Sequence, residues 1–385
     1  MRVTQVSLTG FRSYDSADIP LDSGVSVLVG PNGVGKTNIV EAIRYASLLS
    51  SHRVATDQPL IRQGADQAVI RCTVARGDRQ LTLEIAINPG RANRLQVSGS
   101  AMRPRDFVGI LRSVTFAPED LVLVKGDPAA RRAFIDEVLV QDAPRFHGIK
   151  TDYERVVRQR SALLKSLSGK GSSVKQSAQS TLSVWDDQLV SLGAQLTVAR
   201  VAILARLNAN VSKAYEQVAH GGRSMLHYDA RSFKNHDPAQ LAEIFDSETA
   251  LENALRAELE MRRNEELARG VTVVGPHRDD IVMMINELPA KTHASHGECW
   301  SLALALRLGS LELFRETDDV SGDPVLILDD VFAELDNHRR QALAQWAINN
   351  EQTIVTAAVA EDVPAQLRAH HLTVTPGHVE PASQA

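Results

Sequence analysis

The stretch Gly30-Pro31-Asn32-Gly33-Val34-Gly35-Lys36-Thr37 decides the fold of this chain. It matches the pattern G-x-x-x-x-G-K-[ST], in which consecutive backbone N–H groups converge on phosphate oxygens. The glycines permit this backbone path, and the N-terminus of the helix that follows adds a positive field. We expect all eight residues, together with Asn38 directly after them, to contact a bound nucleotide.

The segments on either side of the loop support this interpretation. Val25 and residues 27–29 are apolar and rich in valine, as in a buried strand, and residues 38–50 carry apolar side chains at helical spacing. A strand, a glycine loop and a helix form the context that the motif requires. A glycine-rich turn without a ligand is the alternative, and it leaves the complete match unexplained. In a phosphate-binding loop, Lys36 reaches the outer phosphates and the Thr37 hydroxyl binds Mg²⁺.

Two adjacent carboxylates form the second half of the predicted site. Residues 325–328 have the pattern of a buried strand, and Asp329 and Asp330 follow them directly. Beside a loop of this type, one such acid holds Mg²⁺ and the next orients or deprotonates the attacking water. We therefore assign Asp329 to the metal, and Asp330 to catalysis together with Lys36. The alternative is that the two acids only cap the next turn.

The spacing between the two halves predicts an insertion. Thr37 and Asp329 are 292 positions apart (329 − 37), more than one compact nucleotide-binding unit needs. Residues 69–76 and 81–87 alternate like an antiparallel hairpin, with a third strand at 91–99, whereas residues between 126 and 268 show helical periodicity. The predicted domains are two halves of one head at 1–125 and 269–375, an inserted helical domain at 126–268, and a flexible tail at 376–385.

Composition limits the class of protein. A chain of 385 residues with 43% hydrophobic and 23% charged residues is typical of a globular protein with two or three domains. Cys72 and Cys299 are too few for a disulfide framework, which favours a reducing compartment. We see no signal peptide and no apolar window of membrane-spanning length, and we expect a cytoplasmic protein without a membrane partner.

Two basic features leave their function open. Arg12 lies next to an aromatic residue before the loop, where it either contacts the nucleotide or is a surface arginine in a turn. Residues 145–175 contain eight Lys or Arg against two acids, although the whole chain carries a net charge of −5. Such a strip either follows a phosphate backbone or is a solvated helix face.

Together these residues resemble the ATPase heads of ABC and SMC-type proteins, and most closely the RecF family of bacterial DNA repair proteins. The resemblance covers nearly the whole chain. It rests on residues 30–38 and on the following motifs: Phe11-Arg12-Ser13-Tyr14, Pro118-Glu119-Asp120-Leu121 with Lys125-Gly126 and Arg131-Arg132, Gly275-Pro276-His277-Arg278-Asp279-Asp280, and Leu328-Asp329-Asp330-Val331 with Glu334-Leu335-Asp336.

The resemblance implies an α/β fold: a P-loop ATPase head of the ABC/SMC type with an antiparallel β lobe and an inserted α-helical lid or arm domain. It implies ATP and Mg²⁺ as cofactors, weak DNA-stimulated ATP hydrolysis and an ATP-dependent homodimer. The implied substrate is double-stranded DNA near single-strand gaps, and the implied protein partners are RecO and RecR. An ATPase subunit of a transporter and an ATP-dependent nuclease head are the alternatives.

The resemblance also places a signature segment at residues 294–298, where Ser295 and Gly297 contact the γ-phosphate bound to a second subunit. The sequence departs from the family there, with His296 and Glu298 in place of glutamines and Trp300 in place of a basic residue. A carboxylate facing the phosphate would weaken dimerisation unless it turns away or pairs. A further departure is Thr356, which stands where many relatives have a histidine, and it predicts slow hydrolysis.

Overall fold

The computed structural model describes residues 1–171, 173, 177–317, 322–368 and 370–381. The chain divides into two compact units, and each is built from separate segments of the sequence. The first unit contains Met1–Lys125, Leu207–Met225 and Ile285–Ala385, and the second contains Gly126–Arg206 and Leu226–Met284.

Fifteen strands are present in the described residues, and most of them belong to two six-stranded sheets of the first unit. In chain order they are β1 (Arg2–Phe11), β2 (Tyr14–Pro20), β3 (Gly24–Val29), β4 (Ala68–Arg76), β5 (Arg79–Ile87), β6 (Arg94–Val97), β7 (Ser100–Ala101), β8 (Ser113–Phe116), β9 (Ser224–Asp229), β10 (Asp280–Ile285), β11 (Leu288–Pro289), β12 (Val325–Asp329), β13 (Gln352–Ala357), β14 (His371–Thr375) and β15 (His378–Pro381).

The first sheet is the antiparallel lobe, with the strand order β2-β1-β4-β5-β6-β7. Strands β4 and β5 form the predicted hairpin, paired from Ala68 opposite Ile87 to Arg76 opposite Arg79. Alternate residues of β4 are buried, as expected for a sheet with one face against a core. The predicted third strand is also confirmed, since β6 pairs with β5.

The second sheet has the order β15-β14-β3-β13-β12-β8, and the strands from β14 to β8 run parallel. All residues of β12 and β13 are buried, and burial of both faces explains the continuous apolar run at 325–328. Because the strands are parallel, the residues that follow β3, β12 and β8 emerge at one edge of the sheet.

The predicted flexible tail is wrong for its first part. Residues 376 and 377 form a turn, and β15 then pairs antiparallel with β14, from Thr375 opposite His378 to Leu372 opposite Pro381. Turn residues and a short alternating segment are weak signals, and pairing with an existing sheet edge stabilises them here. Residues 382–385 lie outside the described residues.

Twelve α-helices lie in the described residues. They are α1 (Lys36–Leu48), α2 (Pro104–Phe107), α3 (Leu121–Lys125), α4 (Pro128–Asp142), α5 (Arg145–Leu167), α6 (Gln179–Val218), α7 (Pro238–Ile244), α8 (Glu248–Met261), α9 (Arg263–Arg269), α10 (Ala290–His293), α11 (His296–Thr317) and α12 (Asn337–Ile348). Within the segment 126–268, which shows helical periodicity, α8 and α9 meet at Arg262. Residues 271–279 form irregular structure before β10.

The predicted insertion 126–268 differs from the second unit at two places. The end of α6, from Leu207, belongs to the first unit, where Asn210 hydrogen-bonds Glu316 of α11 at 3.2 Å and the Val218 carbonyl accepts from Ser301 at 3.3 Å. Residues 269–284, predicted as part of the head, belong to the second unit. A continuous helix gives no sequence signal at the residue where its packing partner changes.

Buried ion pairs hold the helices of the second unit together. Arg160 of α5 is fully buried and donates to Asp186 of α6 at 2.8 Å and to Glu266 of α9 at 3.0 Å. Arg200 of α6 makes a bidentate pair with Asp136 of α4, at 2.7 and 2.9 Å. A buried charge needs such partners, because its transfer out of water is otherwise very unfavourable.

Burial and ion pairs reduce the number of basic side chains that are available in the predicted strip at 145–175. Arg160 is unavailable because it is buried, and Lys150 and Arg155 pair with acids of their own helix. Lys175 lies outside the described residues. The solvated part of the strip that remains unpaired among the described residues consists of Arg158, Lys165 and Lys170, with Arg145 lying over the Phe146 ring.

Helix α6 corrects one expectation about membranes. It contains an 18-residue window with a mean hydropathy of 1.5, which is long and apolar enough to cross a membrane. Half of that window is buried inside the protein, and the helix carries Arg200 in a buried ion pair. Its apolar character thus matches that of a core helix, and the expectation that no such window exists was wrong.

Candidate nucleotide-binding site

The glycine loop lies between β3 and α1 at the carboxyl edge of the parallel sheet. Its first residue, Gly30, fits only because it lacks a side chain, since a Cβ atom would lie 2.2 Å from the Val374 carbonyl oxygen. Gly35 precedes α1 with φ of 116°, a conformation that favours glycine, and no side chain caps this helix end. The uncapped N–H groups form a site for an anion.

Lys36 lies inside the loop rather than on the surface. Its ammonium donates to the carbonyl oxygens of Gly30 at 2.7 Å and Pro31 at 3.1 Å, and its side chain is buried. Burial lowers the pKa of Lys36, while the charges of Asp330 and Asp329 oppose that change. The loop therefore holds a cation that makes no ion pair with the described residues, and a phosphate would compensate its charge.

The two halves of the predicted site are in contact. Thr37 Oγ1 donates to Asp329 Oδ1 at 3.1 Å, although the residues are 292 positions apart in the chain. A second hydroxyl, Thr356 Oγ1, donates to the same carboxylate oxygen at 2.6 Å. Burial raises the pKa of Asp329, and the hydrogen bonds from Thr356 and Thr37 oppose this.

Asp330 is different from its neighbour. It has a left-handed backbone with φ of 56°, and its N–H donates to Thr356 Oγ1 at 3.0 Å. Its half-buried carboxylate accepts no hydrogen bond from the described residues, although it acts electrostatically on Lys36. A carboxylate beside the loop that accepts no hydrogen bond from a fixed donor can accept a proton from water.

Residues 12–14, which precede the loop in the chain, lie against α1 and the end of the loop. Arg12 makes a bidentate pair with the buried Glu41, at 2.8 and 2.6 Å, and Ser13 Oγ accepts from Asn38 at 2.9 Å. The buried Tyr14 hydroxyl lies next to Gly35, 2.8 Å from the place of a Cβ atom. The Arg12 guanidinium also donates to the Pro59 carbonyl, so its predicted contact with a nucleotide stays a prediction.

The predicted signature residues lie at the N-terminus of α11. Ser295 and Glu298 form a capping box, in which Ser295 Oγ donates to Glu298 Oε2 at 2.7 Å and the Ser295 N–H donates to the same oxygen at 2.8 Å. These hydrogen bonds lower the pKa of Glu298. Glu298 is thus paired, and pairing is one of the two conditions under which its carboxylate is not expected to weaken dimerisation.

Two other departures in the signature segment contact each other. Trp300 Nε1 donates to His296 Nε2 at 3.0 Å, and the buried Trp300 ring packs edge-on against Phe116. A side chain at Gly297 would lie 3.0 Å from the Arg339 guanidinium of α12. Among the described residues no hydrogen bond joins Ser295 or Gly297 to the glycine loop, and their role toward a second subunit stays a prediction.

Sequence reasoning missed one acid at this edge of the sheet. Glu119 is exposed and follows β8, whose last residue, Phe116, is aligned with Leu328 of β12. Its charge contributes to the raised pKa of Asp329. The local pattern is visible in the sequence, since Glu119 follows a strand that ends before Pro118. The parallel pairing of β8 with β12, which brings Glu119 to the site, cannot be predicted from the sequence.

The other Asp-Asp pair, at 279–280, has a structural role. Asp280 makes a bidentate pair with Arg131, at 2.7 and 3.0 Å, and Asp279 accepts from Tyr228 at 2.8 Å and from the Arg231 N–H at 2.9 Å. Arg278, their neighbour in the chain, donates instead to the Thr272 carbonyl. Among the described residues, no three His, Cys, Asp or Glu side chains are placed to hold a metal.

The donor set fits a magnesium nucleotide. Uncapped N–H groups and Lys36 suit phosphate oxygens, and the hydroxyl of Thr37 with the carboxylate of Asp329 provides the hard oxygen ligands that Mg²⁺ prefers. Oδ2 of Asp329 accepts no hydrogen bond from the described residues and is available for a metal or its water. These assignments remain predictions for each residue.

Comparison with known proteins identifies the family. The model of the RecF/RecN/SMC N-terminal domain matches residues 2–375. The "DNA replication and repair protein RecF" of Streptomyces avermitilis is 47% identical over 382 residues, which are 99% of this chain and all of that protein. The protein of the same name from Frankia alni is 49% identical over 384 residues and is covered completely, as is this chain.

Solved structures show the same fold. The structure of "the recombination mediator protein RecF-ATP in RecFOR pathway" has a TM-score of 0.87 and 23% identity, and the match covers 99% of this chain and 97% of that one. A crystal structure of an Smc head has a TM-score of 0.53 and 16% identity, over 100% and 98% of the two chains. The predicted fold class, an ATPase head of the ABC/SMC type with a β lobe and a helical insertion, is confirmed. The chain belongs to the RecF family of DNA replication and repair proteins.

Proposed function

We propose that this chain is an ATP-dependent DNA-binding protein of recombinational repair and replication-fork maintenance. ATP joins the heads of two copies, the pair holds duplex DNA near a single-strand gap and promotes recombinase loading, and slow ATP hydrolysis releases it. Family membership supports the general function, and the RecF relatives carry the words replication, repair and recombination mediator in their names.

The observation that carries the proposal is the contact between Thr37 Oγ1 and Asp329 Oδ1 at 3.1 Å. It places the predicted metal ligands together beneath a loop that supplies Lys36 and an uncapped helix end. The charge of Mg²⁺ and of a triphosphate would be neutralised there by groups of opposite sign. A glycine turn without a ligand would not need this arrangement.

The position of the signature residues supports the proposed dimerisation. ATP favours a closed pair only if its phosphates contact both subunits in that state and one in the open state. Ser295 directly precedes α11, where a hydroxyl and helix N–H groups suit a facing phosphate. Because Ser295 already donates to Glu298, its hydroxyl must exchange this bond for one to phosphate, which makes the dimer weaker than the motif alone would predict.

Hydrolysis is assigned to Asp330. Its carboxylate accepts no hydrogen bond from the described residues and lies near Lys36, so it is available to orient or deprotonate a water beside the γ-phosphate. No histidine stands at 356, and the charge of the leaving phosphate lacks that imidazole donor. We therefore propose weak ATPase activity, stimulated by DNA when it favours the closed pair.

The second unit supplies the proposed DNA contacts. Arg158, Lys165 and Lys170 lie along and just after α5 without an acidic partner among the described residues. Since the chain carries a net charge of −5, DNA binding depends on such local groups and weakens with salt. RecO and RecR are the proposed protein partners, in line with the RecFOR pathway of the solved relative, and the proposed location is the cytoplasm.

Sedimentation tests binding and dimerisation together. We expect the Asp330→Asn variant to sediment as a dimer with Mg-ATP and as a monomer with ADP or without nucleotide. Lys36→Ala is the control that does not bind ATP, and Lys213→Ala changes an exposed lysine outside the site. An Asp330→Asn protein that binds Mg-ATP by calorimetry and remains monomeric would exclude the ATP-bridged pair.

DNA binding is tested by fluorescence anisotropy with gapped duplex DNA. The affinity is expected to be higher with ATP than with ADP or without nucleotide, and to decrease as salt increases. Equal affinity under the three nucleotide conditions would remove the clamp mechanism, even if ATP binding itself is demonstrated.

A further inference from the structure

One threonine contacts both acids of the candidate site. Thr356 belongs to β13 and is aligned with Asp329 of the neighbouring parallel strand β12. Its hydroxyl donates to Asp329 Oδ1 at 2.6 Å and accepts the N–H of Asp330 at 3.0 Å. The side chain is buried, with 1% of its surface exposed. A hydroxyl has a single proton, so these two contacts fix both its orientation and its rotamer.

The contact with Asp329 orients a carboxylate. Oδ1 receives two hydroxyl donors, Thr37 at 3.1 Å and Thr356 at 2.6 Å, whereas Oδ2 receives none from the described residues. The carboxylate is held by one oxygen, and the other remains available to a metal ion or its water. Ligating carboxylates commonly depend on such second partners for their orientation.

The contact with Asp330 stabilises an unusual backbone. A φ of 56° is uncommon and unfavourable for a residue with a side chain, although Asp tolerates it better than most. The Asp330 N–H is shared between Thr356 Oγ1 at 3.0 Å and the Thr356 carbonyl at 3.3 Å. Without the hydroxyl, only the longer contact would hold this conformation.

We propose that Thr356 is a positioning residue of the ATPase site, which sets the metal-binding carboxylate of Asp329 and the backbone of Asp330 through one hydroxyl. This inference rests on the proposed ATPase function. It gives a role to a residue that sequence comparison treats only as a missing histidine. Thr356 does not touch the reacting atoms and acts through the two acids.

Three variants separate the hydroxyl from the space it fills. Thr356→Val keeps the branched shape and removes both hydrogen bonds, Thr356→Ser keeps the hydroxyl and removes a methyl group, and Thr353→Val changes a buried threonine of the same strand that bonds the Ala347 carbonyl instead. Each hydrogen bond is worth up to about 1.5 kcal/mol, or about tenfold in an equilibrium constant.

For Thr356→Val we expect the Mg²⁺ concentration at half-maximal ATPase activity to rise about tenfold and kcat to fall about tenfold. ATP affinity in EDTA, measured by calorimetry, should be unchanged, because the loop does not depend on Thr356. Thr356→Ser should recover both parameters to within about threefold, a rescue that a role in packing alone would not give. Thr353→Val should leave the Mg²⁺ requirement unchanged.

The outcome distinguishes this inference from the proposed function. If the unmodified protein binds Mg-ATP and hydrolyses it, and Thr356→Val has the same Mg²⁺ requirement and kcat, the positioning role is excluded. If Thr356→Ser is as impaired as Thr356→Val, packing rather than the hydroxyl is responsible and the inference also fails. If the unmodified protein neither binds nor hydrolyses ATP, the proposed function fails first.

Discussion

Two Asp-Asp pairs of this chain look alike in the sequence and differ in the structure. Asp279-Asp280 lies at the start of β10, and Asp329-Asp330 lies at the end of β12. Asp280 is paired with Arg131 at 2.7 Å, and Asp279 accepts from a tyrosine and a backbone N–H. The carboxylate of Asp330 accepts nothing from the described residues.

The difference shows how a structural acid and a functional acid are told apart. An acid whose oxygens are saturated by fixed donors stabilises the fold and has no capacity left for a ligand. An acid that lies beside a lysine and a phosphate-binding loop without a donor of its own is available for chemistry. The same distinction separates Arg160, buried between two acids, from the exposed Arg158 of the same helix.

The largest effect is expected for the structural pair. Asp280→Ala leaves Arg131 buried without its bidentate partner, and loss of one member of a buried ion pair costs about 3–5 kcal/mol of the free energy of unfolding. Urea unfolding followed by circular dichroism measures this loss. The affinity for Mg-ATP should remain within about twofold of the unmodified protein. Normal stability of the variant would contradict a structural role for this acid.

Asp330→Asn should lower activity and leave stability unchanged, in contrast to Asp280→Ala. The variant keeps the size of the side chain and loses the base, so kcat should fall by about 10²-fold or more while ATP affinity and the urea midpoint stay the same. Steady-state ATPase assays and calorimetry measure the two quantities. Unchanged turnover would show that Asp330 is not the group that activates water.

Acid should destabilise the region around Asp279-Asp280 through His277. Burial lowers the pKa of His277 to about 4, against an ordinary value of 6.5. The unfolded chain therefore takes up the proton first, and stability decreases as the pH falls from 6.5 toward 4. Between pH 7 and pH 5 the titration of His277 lowers the free energy of unfolding by about 2 kcal/mol.

His277→Gln removes the titrating group and serves as the comparison. Its unfolding free energy should decrease less between pH 7 and pH 5 than that of the unmodified protein, by about 2 kcal/mol. His52, whose pKa burial also lowers to about 4, stays in both proteins and cancels in the difference. An identical pH dependence of the two proteins would show that His277 does not titrate in this way.

The smallest effect concerns the basic helix face. Arg158→Gln should weaken binding to gapped duplex DNA about threefold at 0.1 M salt and lower the salt slope by about 1, if this arginine contacts a phosphate. Arg155→Gln is the matched control, since Arg155 pairs with Asp152 at 3.1 Å. Equal effects of the two substitutions would indicate that pairing on the helix does not decide which arginine binds DNA.

Local patterns predicted the local elements well. The glycine motif with its flanking strand and helix, the hairpin of β4 and β5, and the acidic strand end were all readable, because each depends on neighbours in the sequence. The S-x-x-E spacing of Ser295 and Glu298 is also a local signal, that of a capping box, and it accounts for the pairing of Glu298 on which the predicted effect on dimerisation depends.

What was missed depends on contacts between distant segments. The burial of Arg160 requires acids from two other helices, and the pairing of β15 requires a sheet edge formed by β14. Thr356 and Glu119 come to the site through parallel strand pairing, whose order has no local signal. The position of Thr356 and Glu119 relative to the site therefore becomes known only with the strand order β3-β13-β12-β8.

The central claim is that the loop at 30–37 and the acids at 329–330 form one magnesium-nucleotide site. Calorimetric titration of Asp329→Ala with ATP, in Mg²⁺ and in EDTA, tests this claim most directly. The account predicts one nucleotide per chain for the unmodified protein and a variant that loses about tenfold or more in affinity with Mg²⁺ but almost none in EDTA. Equal losses under both conditions, or none under either, would contradict it.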